Sequence, residues 1–90
     1  MKKYYFLLTA GGIDSKGIIH QLSGILTKYG YNIEDSSMLM LRKTFSVIVL
    51  LSGYENLQGL PAKKFKNDIK HFAQKHCMSI DLKHISENDM

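Results

Sequence analysis

The chain has 90 residues, of which 44% are hydrophobic, and a formal net charge of +4 at pH 7. That length suits one domain with a modest core, and no apolar stretch approaches the roughly 20 residues of a membrane-spanning helix. With one cysteine, Cys77, no intramolecular disulfide can form, and the short aromatic run near the start does not have the form of a secretory signal. We therefore expect a cytoplasmic protein. Lysines are concentrated in residues 63–75, where a solvated helix face explains them without nucleic acid.

The first predicted elements are a strand and an amphipathic helix. Residues 4–10 are apolar at nearly every position, which is typical of a strand buried on both faces, and Gly11-Gly12 is predicted to end it. Apolar residues then recur at steps of three and four across 18–29, which predicts a helix with one face toward the core. Asp14 or Ser15 is the predicted N-cap, and Gly30 is expected to close the helix.

Residues 31–52 are predicted to form a β-hairpin, because the apolar period changes to two and Arg42-Lys43 lies where the turn belongs. On its first strand Asp35 and Ser37 are predicted to share a face with Ile33. Polar groups are unusual on a buried face, so they indicate either a polar interface or pocket, or an edge strand, and we favour the edge. The alternation as a whole places Ile33, Leu39 and Leu41 on one face, and Met38 and Met40 on the other.

A second helix and a last strand complete the pattern. Leu60-Pro61 is predicted to open the helix, since proline fits a first helical turn, and the helix is expected to end near His76. Residues 78–83 are predicted to alternate as a strand, and 87–90 to form a frayed tail. The inner stripe of the helix is Phe65, Ile69, Phe72 and Ala73.

This order, β-α-β-β-α-β, predicts an α+β ferredoxin-like fold: a four-stranded antiparallel sheet with two helices on one face. We expect one domain over residues 1–90, with its core over about 3–86. Two helices cover only one face of the sheet, yet the strands over 4–10 and 44–51 are apolar on both. The uncovered apolar surface or sheet edge predicts a homodimer.

Two stretches carry a resemblance to a known family: G-I-D-S-K-G-I-I-H-Q-L-S-G-I-L from residue 12, and Y-G-Y-N-I-E-D-S-S-M from residue 29. They resemble the ACT domain, a regulatory module that binds amino acids. The residues that match its pattern are Gly12, Asp14, Gly17, Ile18, Ile19, Gly30, Asn32 and Ile33. The chain is most similar to the subgroup found in the glycine cleavage system transcriptional repressor and at the start of formyltetrahydrofolate deformylase. It departs from that subgroup at Ser15-Lys16, where Arg-Pro is usual.

The resemblance implies a small-molecule ligand, an amino acid, held at a subunit interface. The amides near Gly17 and Ile18 suit a carboxylate, and Asp14 or the Asn32 carbonyl suits an ammonium group. Structural roles stay open beside these: helix capping for Asp14, close packing for the glycines, and a stabilised strand entry for Asn32. The implied ligand-binding residues are Gly12, Ile13, Asp14, Ser15, Lys16, Gly17, Ile18, Asn32 and Ile33.

Nothing in the sequence indicates catalysis, a metal or a cofactor. The four histidines lack the i, i+4 spacing of a helical metal site, and His76-Cys77 alone is a poor zinc site. No serine, histidine and acid trio is suggested by spacing. The only arginine, Arg42, is not in the first loop, where acylphosphatases of this topology hold phosphate. We expect a non-enzymatic protein.

Two other functions remain open. RNA-binding modules share the β-α-β-β-α-β order and stack bases on aromatic residues of the central strands, which Tyr5 and Phe45 could partly supply. A purely structural dimerisation domain is the other alternative. The preferred hypothesis is a regulatory, amino-acid-binding homodimer that signals to a protein partner, away from membranes.

Overall fold

The computed structural model describes residues 3–13, 17–54 and 60–86, without the side chains of residues 60–62. The predicted tail over 87–90 lies outside the described residues. No described helix is long and apolar enough to cross a bilayer. In chain order the elements are β1 (Tyr4–Ile13), α1 (Ile18–Lys28), β2 (Asn32–Leu41), β3 (Thr44–Gly53), α2 (Leu60–Lys75) and β4 (Ser79–Ile85).

The four strands form one sheet in the order β2-β3-β1-β4, and every neighbouring pair is antiparallel. The two central strands, β1 and β3, therefore separate two edge strands, β2 and β4. Both helices pack on the same face, which we call the helix face, and the other is the open face. The predicted ferredoxin-like fold is confirmed.

The core lies between the helix face and the two helices. Phe6 and Leu8 from β1 and Leu51 from β3 are fully buried there, because their side chains alternate toward the helices. The Tyr31 ring packs edge-on to Phe6, with 5.7 Å between ring centroids, and lies 4.6 Å from the ring of Phe65. Burying each such ring removes on the order of 150–250 Å² from water, so this aromatic cluster contributes much of the stability.

Strand β1 is longer than predicted. Gly11 and Gly12 do not end it: they pair with Ser46 and Phe45 of β3, and the strand continues to Ile13. The sequence prediction failed because ladder hydrogen bonds use only the backbone, and the long β2–β3 hairpin supplies backbone partners to both glycines. The strand thus carries its last residues to the edge of the glycine-rich loop.

The start of α1 also differs from the prediction. Its N-cap is Gly17, which has a φ of 82° and makes no side-chain capping hydrogen bond. Placing Asp14 or Ser15 at this position was wrong, and both residues lie outside the described ones. A left-handed backbone favours glycine, so Gly17 fits the position without strain.

Both helices end in the same way. After α1 the N–H of Gly30 donates to Thr27 O at 3.0 Å and the N–H of Tyr31 donates to Leu26 O at 3.1 Å. This is the Schellman arrangement, and the φ of 80° at Gly30 confirms its predicted role. After α2 the left-handed position that corresponds to Gly30 is occupied by Cys77, with a φ of 53°.

A β-bulge changes the faces predicted for β2. Ile33 pairs with Leu51, but Asp35 pairs with Leu50, so Glu34 is an extra residue in the strand. Because paired residues share a face, Ile33 points to the helix face and Asp35 to the open face. The prediction that they share a face was wrong, since the alternation of side chains shifts at a bulge. The preferred edge-strand position of β2 is confirmed.

Candidate ligand-binding site

Four of the predicted site residues lie at one end of the sheet, which we call the loop end. Gly12 and Ile13 finish β1, and Gly17 and Ile18 open α1. Residues 14–16, which join the two pairs, lie outside the described residues. The loop end therefore brings together the end of a central strand and the start of a helix, as the resemblance implied.

The backbone at the loop end suits a negatively charged group. The first intrahelical hydrogen bond of α1 is donated by the N–H of Gln21 to Gly17 O, at 3.0 Å. The amides of residues 18–20 therefore have no intrahelical acceptor, and Gly17 provides no side-chain cap for them. Such amides at a helix start attract carboxylates and phosphates.

Gly12 has a packing role. A Cβ built on Gly12 would lie 3.1 Å from Cγ of Met78, which is buried. By contrast, nothing lies within 4 Å of a Cβ built on Gly17, so its requirement for glycine comes from its φ alone. The two glycines of the loop thus serve different purposes, and the close packing considered for Gly12 is observed.

The other two predicted site residues, Asn32 and Ile33, lie at the opposite end of the sheet. Asn32 pairs with Ser52, which in turn pairs with Tyr5 of β1. Gly12 lies seven positions after Tyr5 along β1, and at about 3.4 Å per position this corresponds to roughly 24 Å. Within one chain the two halves of the predicted site do not meet.

Asn32 belongs to a polar network centred on Glu34. The Oε1 atom of Glu34 accepts a hydrogen bond from Ser52 Oγ at 2.6 Å and one from Asn32 Nδ2 at 3.2 Å, and it lies 3.0 Å from Lys3 Nζ. The hydrogen bond from Ser52, together with those from Lys3 and Asn32, lowers the pKa of Glu34 from 4.5 to about 2. The carboxylate therefore stays ionised and fixes the Asn32 amide.

The orientation of this amide decides what Asn32 can offer a ligand. Its nitrogen donates to Glu34, and its oxygen makes no hydrogen bond with any described residue. Asn32 is exposed, so this oxygen is free to accept a bond from a cationic or N–H group. The sequence reasoning missed Glu34, Ser52 and Lys3. The sequence did contain a signal for Ser52, because it is a polar residue that directly follows the apolar run 47–51.

Exposed apolar residues gather at the loop end. Ile13 is 67% exposed, Leu39 66% and Leu41 69%, and all three point to the open face. Ile13 and Leu41 both pair with Thr44, so they lie on either side of Thr44 in one row across the sheet. A surface of this kind is typical of an interface with another protein chain.

The structure argues against base stacking on the sheet. Phe45, one of the two aromatic residues considered for this role, is buried on the helix face, and only Tyr5 of the pair points to the open face. A module of that class needs aromatic residues displayed together on its central strands. Among the described residues, moreover, no three side chains of His, Cys, Asp or Glu cluster as a metal site would require.

Comparison with known proteins identifies the family. The family model of the ACT domain matches residues 4–83, which cover both predicted motifs and all six elements except the end of β4. The chain belongs to the ACT domain family. ACT domains are regulatory, ligand-binding modules, and they accompany catalytic domains in some enzymes without performing catalysis themselves.

Individual relatives agree with this assignment. The chain is 41% identical over 54 residues to the glycine cleavage system transcriptional repressor of Escherichia coli, a match that covers 60% of this chain and 28% of the repressor. It thus spans just over a quarter of that relative. The chain is also 30% identical over 78 residues to a UPF0237 protein of Clostridium perfringens, covering 87% and 85% of the two chains.

A solved structure shows the same fold at similar length. An ACT domain protein from Streptococcus pneumoniae superposes with a TM-score of 0.74 at 26% identity, covering 90% of this chain and 89% of the other. The resemblance to ACT domains of the repressor type is confirmed by these matches.

Proposed function

We propose that this ACT domain is a cytoplasmic regulatory homodimer that binds an amino acid between its two subunits and signals its presence to a protein partner. The observation that carries the proposal is the separation of the two halves of the site. The loop end and Asn32 lie roughly 24 Å apart along one sheet. One small ligand can contact both only if they come from different chains.

Antiparallel pairing of two β2 strands would place the two halves of the site at the same end of the joined sheet. If Asn32–Leu41 of one chain pairs along its length with the same strand of a second chain, Asn32 lies opposite Leu41. Leu41 lies in one row with Thr44 and Ile13, so Asn32 of one subunit lies at the loop end of the other, three strands away from Ile13. A two-fold axis then produces two equivalent sites, as an isologous interface requires.

The two edges of the sheet differ in a way that favours β2 for this pairing. All ten residues of β2 are exposed, and its second half, Ser36 to Leu41, carries no charge. On β4, Asp81 and Lys83 place charges on the open face. Charged residues on an edge strand oppose pairing with another strand, whereas a long uncharged apolar edge promotes it.

The groups at the composite site match the two ends of an amino acid. The amides that open α1 have no intrahelical acceptor and suit the carboxylate, and the oxygen of Asn32, which makes no hydrogen bond with a described residue, accepts a bond from the ammonium group. Ser15-Lys16 lies in the same loop and is the expected place where this chain adjusts its ligand preference. Ligand that bridges both subunits favours one arrangement of the dimer, and this shift of population is the signal.

The proposal is tested by thermal unfolding against a panel of the standard amino acids. A ligand that binds the folded state stabilises it by about 2.7 kcal/mol at 100 times its dissociation constant, so at least one amino acid should raise the midpoint by several degrees. The 2-hydroxy acid with the same side chain, which lacks the ammonium group, should not. Asn32→Ala should abolish the shift, and Asn67→Ala, an exposed asparagine on α2, should preserve it.

Other outcomes would point elsewhere. If single-stranded RNA raises the midpoint and no amino acid does, the RNA-binding alternative is supported. A midpoint that responds to neither supports a structural dimerisation domain.

A further inference from the structure

We propose a second ligand site in the groove between α2 and β4, for a small organic anion with an apolar body. The groove is open to solvent and has a volume of about 580 Å³, which is within the usual range of small-molecule sites. It is separate from Asn32 and from the amides of α1. The residues that line it are Lys66, Ile69, Lys70, Ala73, Gln74, Met78, Ser79, Ile80 and Leu82.

The groove exists because β4 is an edge strand that α2 covers incompletely. Ile80 and Leu82 point to the helix face, since they pair with Ala10 and Leu8 of β1. Leu8 is fully buried, yet Ile80 and Leu82 are only half-buried. With the side chain of Ala73, they leave an apolar floor in contact with water, and an apolar ligand body would remove that surface from water.

One end of the groove is polar. The turn after α2 is fixed by the hydrogen bond that the N–H of Met78 donates to Ala73 O at 2.8 Å. Gln74 and Ser79 lie on either side of this turn and offer polar groups there.

The wall formed by α2 is cationic. Lys66 and Lys70 are four residues apart, so their Cβ atoms lie about 6 Å from each other on one side of the helix. Neither lysine forms an ion pair with a residue in the described part of the chain, and no carboxylate lines the groove. The one acid of α2, Asp68, instead accepts a hydrogen bond from Tyr29, the residue that follows α1.

These features together select an anionic head group on an apolar body. Two unpaired ammonium groups one turn apart can hold either a carboxylate or a phosphate. The apolar floor beside them requires the rest of the ligand to be hydrocarbon. Two probes with the same hydrocarbon chain, octanoate and octyl phosphate, distinguish between the two head groups, and octanol reports the contribution of the chain alone.

Binding is measured with the full chain by NMR titration of backbone amides. Octanoate or octyl phosphate should shift the amides of Ala73, Met78 and Ile80 in a saturable way, and octanol should bind at least about tenfold more weakly. Lys66→Gln combined with Lys70→Gln should weaken the anionic probes about tenfold or more, toward the affinity of octanol. The control, Lys63→Gln with Lys64→Gln, removes the same charge from exposed positions of the helix outside the groove and should leave affinity unchanged.

Three results would overturn the proposal: octanol binding as tightly as the anions, equal weakening by both double variants, or no saturable shift at the groove amides. None of these bears on the amino-acid site, which is tested by different ligands and by Asn32→Ala. The two proposals can therefore fail independently.

Discussion

At the scale of single residues, Gly53 shows how the core constrains a position that the sequence presents only as the end of a strand. A Cβ built on Gly53 would lie 2.8 Å from Cδ1 of Tyr31. That ring cannot move easily, because it is buried and packed against Phe6 and Phe65. The position needs glycine for lack of space, not for its backbone conformation.

We expect Gly53→Ala to destabilise the protein by about 1–3 kcal/mol, the usual cost of overpacking a core. The control is Gly24→Ala, the same chemical change in the middle of α1, where nothing lies within 4 Å of the added Cβ. It should stabilise the protein by about 0.5–1 kcal/mol, because alanine favours helix over glycine. Chemical denaturation measures both, and effects of the same sign would contradict this account of the two glycines.

At the scale of elements, the Glu34 network ties the start of β2 to β3 and to the residue before β1. The bulge allows this, since it turns Glu34 out of the ladder and toward Ser52 and Lys3. The pKa of Glu34 is about 2 in the folded protein and near 4.5 when unfolded. A folded pKa below the unfolded one means that the contribution to stability is complete above pH 4.5 and is lost as pH falls toward about 2.

We therefore expect the wild-type protein to unfold at a higher temperature than Glu34→Gln at neutral pH, and this difference to shrink between pH 4.5 and about 2. Comparing the two proteins at each pH removes the effect of the other carboxylates. Asp35→Asn is the matched control, because within the described part of the chain the Asp35 carboxylate accepts a hydrogen bond only from the backbone N–H of Ser36. A difference that stays constant with pH would show that Glu34 acts by packing alone.

At the scale of the whole molecule, the sheet leaves one edge and one face unfinished. The β2 edge exposes Met38, Leu39, Met40 and Leu41, and beside it Ile13 is exposed on the open face at the loop end. The helices cover neither surface, since both pack on the opposite face of the sheet. A second chain paired through β2 would complete the edge and, in the proposed arrangement, the ligand site as well.

The proposed pairing predicts a mass in solution twice the 10.3 kDa of one chain. It also predicts that the effect of a charged substitution at Leu39 on the dimer dissociation constant depends on the sign of the new charge. In antiparallel pairing Leu39 lies near the start of the other β2, which carries Glu34 and Asp35. Leu39→Glu should therefore raise the dimer dissociation constant on the order of 100-fold, and Leu39→Lys by clearly less.

Sedimentation equilibrium of the two variants measures this difference. Gln21→Glu adds the same negative charge to an exposed position of α1 and should leave the dimer intact. Equal weakening by glutamate and lysine would exclude the antiparallel arrangement, and a wild-type monomer at micromolar concentration would exclude the dimer.

The sequence by itself determined the element order, the fold and the family. The alternation in 44–52, the helical spacing in 18–29 and Gly30 are local signals, and local steric and hydrophobic preferences are enough to read them. It also determined which loop and which asparagine resemble a ligand site. Those predictions required no knowledge of which elements lie side by side.

Only the tertiary structure decided what depends on partners distant in sequence. Strand β1 continues through Gly11 and Gly12 because β3 pairs with them, and the faces of β2 shift because a bulge at Glu34 is accommodated against Leu50 and Leu51. The same pairing places Asn32 at the far end of the sheet from the glycine loop. Register is a property of two strands together, so no single stretch of sequence could reveal that the two halves of the site lie apart.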